Sequence, residues 1–357
     1  MTVYVCGITP YDSAHLGHAF TYTHFDVLVR YLRHLGADVS HVQNVTDVDD
    51  DILRTAAERG VHYRTLVEQE TRAFEKAMGA IGIIPPTHMP MASEFVGPII
   101  EEVQALISAG HGYERNGTVY FRVASYPEYG ELSGLPREEM LELAAERGGH
   151  PEDPNKDDPL DFVLWQRAAP GEPWWESPWG RGRPGWHIEC STMARRLLGQ
   201  PVDIHGGGAD LIFPHHESER AQAEALPGTR PFVRHWVHTG SVYQEGEKMS
   251  KSLGNLAFVD DLLERHEPGT LRRFLLERHY RGDWEFRETD LTRLGSTEER
   301  KGSGIREPGP DDREAFFAAL DDDLDTPAAI RVLDRASHRS DPEANALTET
   351  GRALLGF

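Results

Sequence analysis

Val3-Tyr4-Val5-Cys6-Gly7-Ile8-Thr9-Pro10-Tyr11-Asp12 begins as an apolar, strand-like run, Val3 to Cys6, and breaks into a turn at Gly7. His15-Leu16-Gly17-His18 follows, and from His18 to about Leu35 apolar residues recur at helical spacing: Phe20, Phe25, Val27, Leu28, Tyr31, Leu32 and Leu35, with Gly36 ending the run. A short strand, Val39 to Val42, then leads into Asn44-Val45-Thr46-Asp47-Val48-Asp49-Asp50. Strand, turn, helix, strand predicts a parallel α/β unit with ligands at the carboxyl ends of its strands. That places His15, His18 and Thr46 along one crevice.

A chain of 357 residues holds two or three domains and buries a substantial core. Its formal net charge of −22 repels nucleic acid except where a local basic groove overrides it. No run of about 18 apolar residues and no leader-like start occurs, which predicts a cytoplasmic protein with no membrane partner. Cys6 and Cys190 are the only cysteines, so a disulfide framework is not the design. They are either two buried hydrophobes or two ligands of one site.

Working outward, helices are expected over about Tyr63 to Ile81 and Ala92 to Ala109. From Gly112 the pattern changes to short strands around Val119 to Val123 and to turn-rich polar sequence. It reads as an insertion, with Trp174, Trp175 and Trp179 packing it onto the core. A helix carrying Cys190, Met193 and Leu197 and a strand, Val202 to His205, ending at Gly206-Gly207-Gly208 resume the α/β pattern. Helices follow near Val259 to His266 and Thr270 to His279. The expected organisation is 1–111 and 167–256 as the two halves of the core and 112–166 as the insertion. The remainder divides into a helical region over 257–293, a linker over 294–312 and one or two helices over 313–357.

Lys248-Met249-Ser250-Lys251-Ser252, followed by Gly254 and Asn255, suits a mobile loop that brings two ammonium groups to a polyphosphate. His15 and His18 can donate to phosphoryl oxygens from a helix N-terminus, where the dipole favours anions. His215 and Glu219 are four residues apart, so on a helix they share a face and can hold one ion. With Cys6 and Cys190 they make two thiolates, an imidazole and a carboxylate, a set that suits zinc better than calcium or magnesium. The bland alternative is a polar helix start with a solvated acidic face. A zinc here is either structural or keeps a position open for a substrate thiol. Asp210 after the glycine run can accept from ribose hydroxyls, and Trp186 with Tyr11 can wall a small amino-acid pocket. The run Asp47, Asp49, Asp50, Asp51 reads as a solvated helix start.

H-L-G-H and K-M-S-K-S resemble the two signatures of class I aminoacyl-tRNA synthetases. With Y-V-C-G-I-T, N-V-T-D-V-D-D, G-W-H-I-E-C-S and H-G-G-G-A-D-L-I-F-P-H-H-E, the chain is similar to the cysteinyl-tRNA synthetases and their relatives, the cysteine ligases of mycothiol biosynthesis. The resemblance spans roughly Val3 to Phe286. It implies a Rossmann-like catalytic core with an inserted subdomain and a small C-terminal helical part. It also implies one zinc held by Cys6, Cys190, His215 and Glu219, and ATP taken with Mg2+. Contacts to a cysteinyl-adenylate are implied at Gly7, Thr9, Thr21, Asn44, Thr46, Trp186, Gly208, Asp210 and Val242, and phosphate contacts at His15, His18, Lys248 and Lys251. Glu146-Arg147-Gly148-Gly149-His150-Pro151 is similar to the E-R-G-G-D-P segment of the mycothiol ligases, with His150 departing from it. No room is expected after residue 357 for an anticodon-binding domain, and a monomer is expected. Glu219, Ser191 and the Leu253-Gly254-Asn255 run are synthetase-like, and Phe20 matches neither relative. The expected activity is ATP-dependent activation of L-cysteine and its transfer to the amine of an amino sugar, glucosaminyl-inositol. The alternatives are transfer to a tRNA end and a silent paralogue that binds cysteine or zinc.

Overall fold

The computed structural model describes residues 1–226, 228, 230–250, 253–296 and 312–357, in two compact units. The first comprises Met1–Tyr11, Ser40–Thr71 and Pro86–Val237; the second comprises Asp12–Val39, Arg72–Pro85 and His238–Phe357.

The first unit is organised on a four-stranded sheet whose order is Ser40–Val45 (β2), Thr2–Ile8 (β1), Val202–Gly208 and Val233–Thr239. β1 pairs in parallel with both neighbours. Val3, Tyr4 and Val5 are fully buried, the continuous apolar run that a sheet covered on both faces requires. At Gly7 the backbone of β2 comes so close that a Cβ would lie 1.6 Å from the carbonyl oxygen of Asn44, so only glycine fits. The Val202 strand continues through Gly206 and Gly207 to Gly208 rather than ending at His205. Side chains at 207 and 208 would meet Leu211 and Asp210.

A second, antiparallel sheet is built of Gly112–Arg115, Thr118–Phe121, Phe162–Arg167 and Gly182–Pro184. Polar sequence expected to be turn-rich forms a helix at Arg137–Glu146, which buries only Met140 and Ala144. So thin an apolar stripe gives little periodicity to read. Trp175 and Trp179 pack against this subdomain's core as expected. Trp174 does not: it is exposed, with the Arg181 guanidinium 4.0 Å above its ring. Asp47 is also not a solvated residue. It is buried, and its carboxylate accepts the amide of Ser93 at 2.9 Å. Asp49 caps the helix Asp50–Arg59 by accepting from Asp51 N.

In the second unit, helix Leu16–His34 carries a buried Asp26 that Arg272 and Arg30 both engage. Phe20 is fully buried, its ring 4.6 Å from His24 and 5.4 Å from Trp284, so its place is taken by packing. The C-terminal part has three helices, Asp312–Asp321, Thr326–Ser337 and Pro342–Leu355, one more than expected. Asp325 and Asp341 each accept a backbone amide at a helix start, with a proline two residues on at Pro327 and immediately after at Pro342, a start signal for two separate helices. The linker expected over 294–312 lies almost wholly outside the described residues.

Candidate active site

Cys6 sits near the end of β1, Cys190 on helix Trp186–Leu198, and His215 and Glu219 on either side of the junction into helix Glu217–Ala225. The structure brings all four together. Their donor atoms lie within 4.8 Å of one another, and every one is buried. His215 Nε2 stands 3.1 Å from Glu219 Oε1, and Cys6 Sγ stands 3.5 Å from the same oxygen. A tetrahedral zinc with bonds of about 2.0–2.3 Å separates its ligands by roughly 3.3–3.8 Å, so one distance falls in that range and the other about 0.2 Å short of it, close enough for one ion. Glu219 Oε2 is buried with no hydrogen-bond partner among the described residues, a further sign that the cluster suits a cation.

Burial favours the uncharged forms. It pushes the Cys6 thiol well up, helped by the neighbouring Cys190, and the Glu219 carboxyl well up, again helped by Cys190. The His215 imidazole goes down, chiefly by desolvation. A divalent ion supplies the opposing charge that such a set needs. His187 Nδ1 lies 2.9 Å from His215 Nδ1, which turns Nε2 toward Glu219, and the Trp186 ring stacks on His215 with centroids 4.4 Å apart. Ser191 reaches the Gln222 side chain at 2.8 Å and so ties the Cys190 helix to the Glu219 helix.

A hydrogen-bond chain runs beside this cluster. Gly7 N donates to Asn44 Oδ1 at 2.9 Å, Asn44 Nδ2 to Thr46 Oγ1 at 3.4 Å, and Thr46 Oγ1 to Glu189 Oε2 at 3.0 Å. Glu189 is buried, and desolvation holds its carboxyl pKa well above the usual range. The chain links the residues next to both cysteines. Thr9 is half-buried and its carbonyl accepts from Tyr11 N at 3.0 Å. Tyr11 packs on the Ile52, Ala56, Leu66 and Val67 cluster, and Trp186 lies on His215. Asp210 is exposed just beyond Gly208. Arg147 donates to the carbonyls of Asp210 and Phe213 and so clamps this loop onto the insertion. His150 holds a left-handed φ of +47°. Outside glycine, Asp, Asn and His are the side chains that tolerate that conformation best, so histidine suits this backbone.

In the second unit His15 caps helix Leu16–His34, its Nδ1 accepting from His18 N at 3.4 Å, and the two imidazoles stack with centroids 3.7 Å apart. Burial, and then His15, push His18 well below the ordinary histidine range. Thr21 Oγ1 meets Thr239 Oγ1 at 2.7 Å. Val242 is buried and pairs in parallel with Trp284. Lys248 lies in the strand Glu247–Lys248, opposite Tyr243. Asn255 folds the following loop back, accepting from Ser250 N at 2.8 Å and donating to Lys248 O at 3.3 Å. Lys251 lies outside the described residues.

The sequence reading missed His187, Glu189, His205 and His216, which belong to the same buried surroundings as the metal donors. His187 and Glu189 stand in the quoted run G-W-H-I-E-C-S beside Cys190, and His205 opens H-G-G-G; adjacency to a proposed ligand was the available signal.

The family description "tRNA synthetases class I (C) catalytic domain" matches residues 1–296. The chain belongs to this family, and it is an ATP-dependent ligase. Among curated proteins it is 46% identical to the L-cysteine:1D-myo-inositol 2-amino-2-deoxy-alpha-D-glucopyranoside ligase of Thermomonospora curvata, over 99% of this chain and 89% of that one. It is 47% identical to the cysteine--tRNA ligase of Halorhodospira halophila, over 98% of this chain and 76% of that one. Of solved structures, methionyl-tRNA synthetase of Mycobacterium tuberculosis bound to methionyl-adenylate superposes with a TM-score of 0.65, covering 99% of this chain and 87% of that one at 18% identity. It shares the class I synthetase fold, a Rossmann-like α/β architecture. Among the described residues no helix is long and apolar enough to cross a membrane.

Proposed function

We propose that this ligase activates L-cysteine with ATP, releasing pyrophosphate, and transfers the cysteinyl group to the amine of glucosaminyl-inositol. The observation that carries the cysteine reading is the buried set of Cys6, Cys190, His215 and Glu219, whose donors and spacing fit a zinc ion. Bound there, zinc supplies a charge that favours a thiolate over an alcohol, which separates cysteine from serine. The protein's own groups do the rest. Thr46, fixed between Asn44 and Glu189, presents a rigid polar surface beside the metal donors. Gly208 is assigned to the nucleotide's base and Asp210 to its ribose, with Gly7, Thr9, Thr21, Trp186 and Val242 as further adenylate contacts. His15, His18, Lys248 and Lys251 are assigned to the phosphates, ATP being taken with Mg2+. Activation of this kind rests on positioning and charge stabilisation at the α-phosphate, with no protein nucleophile.

The amino-sugar acceptor is favoured by the Glu146 to Pro151 segment, which the Arg147 clamp holds against the Asp210 loop. A second reading, transfer to tRNA, is supported by comparable identity to cysteine--tRNA ligases. Cysteine-dependent exchange of labelled pyrophosphate into ATP tests activation; its absence from zinc-replete protein refutes the proposal. Glucosaminyl-inositol and tRNA offered in parallel then decide the acceptor, and charging of tRNA alone rejects the first choice.

A further inference from the structure

The donors proposed for zinc do not exhaust the metal-binding groups around Cys6. His205, on the strand Val202–Gly208, places Nε2 at 3.5 Å from Cys6 Sγ and at 3.5 Å from Glu219 Oε2. His216 places its Nε2 at 3.3 Å from Cys6 Sγ and at 3.9 Å from Glu219 Oε1. Both imidazoles are fully buried and packed against Trp236, with ring centroids 4.7 Å and 5.2 Å away. Cys6, His205, His216 and Glu219 therefore form a second four-donor set within 4.8 Å, made of one sulfur, two nitrogens and a carboxylate. A sulfur–nitrogen edge of a tetrahedral zinc site is about 3.6 Å, and a nitrogen–oxygen edge about 3.3 Å. The sulfur–nitrogen separations, 3.5 and 3.3 Å, lie within about 0.3 Å below the first value, and the nitrogen–oxygen separations, 3.5 and 3.9 Å, within about 0.6 Å above the second.

The two sets share Cys6 and Glu219, and where both use the same carboxylate oxygen their common edge, Cys6 Sγ to Glu219 Oε1, is 3.5 Å. Two tetrahedra built on one such edge have centres no more than about 2.7 Å apart, well under the roughly 3.5–4 Å of two-metal sites. On that shared edge one ion can use either set, and two cannot use both. The charge sums differ. A dication with Cys6, Cys190 and Glu219 ionised and His215 neutral leaves one negative charge buried, whereas with Cys6, Glu219 and two neutral imidazoles the sum is zero. A desolvated interior penalises the charged sum. A neutral seat can therefore compete although it offers one thiolate fewer.

We infer that the divalent ion has two alternative seats, one closed by Cys190 and His215 and the other by His205 and His216, pivoting on Cys6 and Glu219. This inference rests on the proposed metal site and extends it to the two histidines that no substrate assignment uses. The test is metal binding itself, read without turnover. The full-length protein is loaded with Co2+, and metal per chain, affinity against a chelator and thiolate-to-cobalt charge-transfer intensity are measured. Wild-type protein should hold one ion. Cys190→Ser should still hold one ion, with the charge-transfer band of a single thiolate, and the further change His205→Gln should then weaken binding at least a hundredfold. Equal affinity of Cys190→Ser and Cys190→Ser/His205→Gln overturns the inference, as does a second ion in wild type. Where Cys190→Ser does not fold, His215→Ala takes its place with the same pair of outcomes. Wild-type protein that binds no metal refutes the metal site as a whole, which separates that failure from this one.

Discussion

Gly7→Ala is the sharpest perturbation available in the first unit. The added carbon would lie 1.6 Å from Asn44 O, and contacts below 3.0 Å are essentially never observed, so β1 and β2 must separate locally by about 1.4 Å. Two hydrogen bonds bridge the strands at that point, Gly7 N to Asn44 Oδ1 and Thr46 N to Ile8 O, both 2.9 Å. Opening by that amount breaks both. With each loss costing about 1–3 kcal/mol where the groups are buried, the variant should be less stable by about 3–5 kcal/mol. At a urea slope of about 3 kcal/mol per molar the unfolding midpoint of this unit falls by about 1–1.7 M. Pyrophosphate exchange should fall too, because Cys6 and Asn44 move with the strands. Gly79→Ala is the matched control: nothing lies within 4 Å of its added carbon, and the site is exposed on the helix Tyr63–Ala80. It should be neutral or stabilising by up to about 1 kcal/mol. A Gly7→Ala midpoint indistinguishable from wild type, with exchange intact, refutes the close-approach argument.

Three further outcomes are expected. Thr46→Val cuts the link between Asn44 and Glu189 without changing volume much, and should lower kcat/KM for cysteine in pyrophosphate exchange by about tenfold while the melting temperature moves little; unchanged kinetics would remove Thr46 from the site. His24 is buried between the carbonyls of Phe20 and Arg278, and burial pushes its pKa down to about 4, against about 6.5 when unfolded. The unfolded chain therefore takes up the proton first, so the stability due to neutral His24 is present above about pH 6.5 and is lost as pH falls toward 4, by up to roughly 3 kcal/mol. Urea midpoints for His24→Gln should be flatter over that window, and identical slopes for variant and wild type would contradict the assignment. Asp26→Ala leaves Arg272 as a buried charge without its carboxylate and should cost about 3–5 kcal/mol in chemical unfolding; a loss below about 1 kcal/mol would show that the pair is solvated.

Much of the core was legible because its signals are local. The apolar run into Gly7, the helical spacing after His18 and the glycines at 206–208 each carry their own geometry, and they mark the sheet and its crossover. The clustering of the candidate metal donors was legible for a chemical reason, since two cysteines and a His/Glu pair at a spacing of four leave few other roles in combination. His205 and His216 were not legible, because their approach to Cys6 depends on the parallel pairing of β1 with the Val202 strand, a contact between residues some two hundred positions apart. Asp47 looked solvated within an acidic run. Its burial depends on Ser93, which only the tertiary fold brings near. The Arg137–Glu146 helix escaped because its apolar stripe is two residues wide.

The donor cluster has a topological consequence. Cys6 and Glu219 are 213 positions apart, and all the proposed donors belong to the first unit. An ion held there acts as a removable cross-link closing a very long loop. By the chain-entropy rule used for disulfides, such a closure can stabilise by up to about 5 kcal/mol, and all of it bears on one half of the molecule. A chelator should therefore loosen amide protection in β1, β2 and the Trp186–Leu198 helix while leaving the Leu16–His34 helix at its original protection. With zinc bound as proposed, one chain carries two parts with different dependence on zinc supply, and the part proposed to select the amino acid is the one that metal scarcity would disable first.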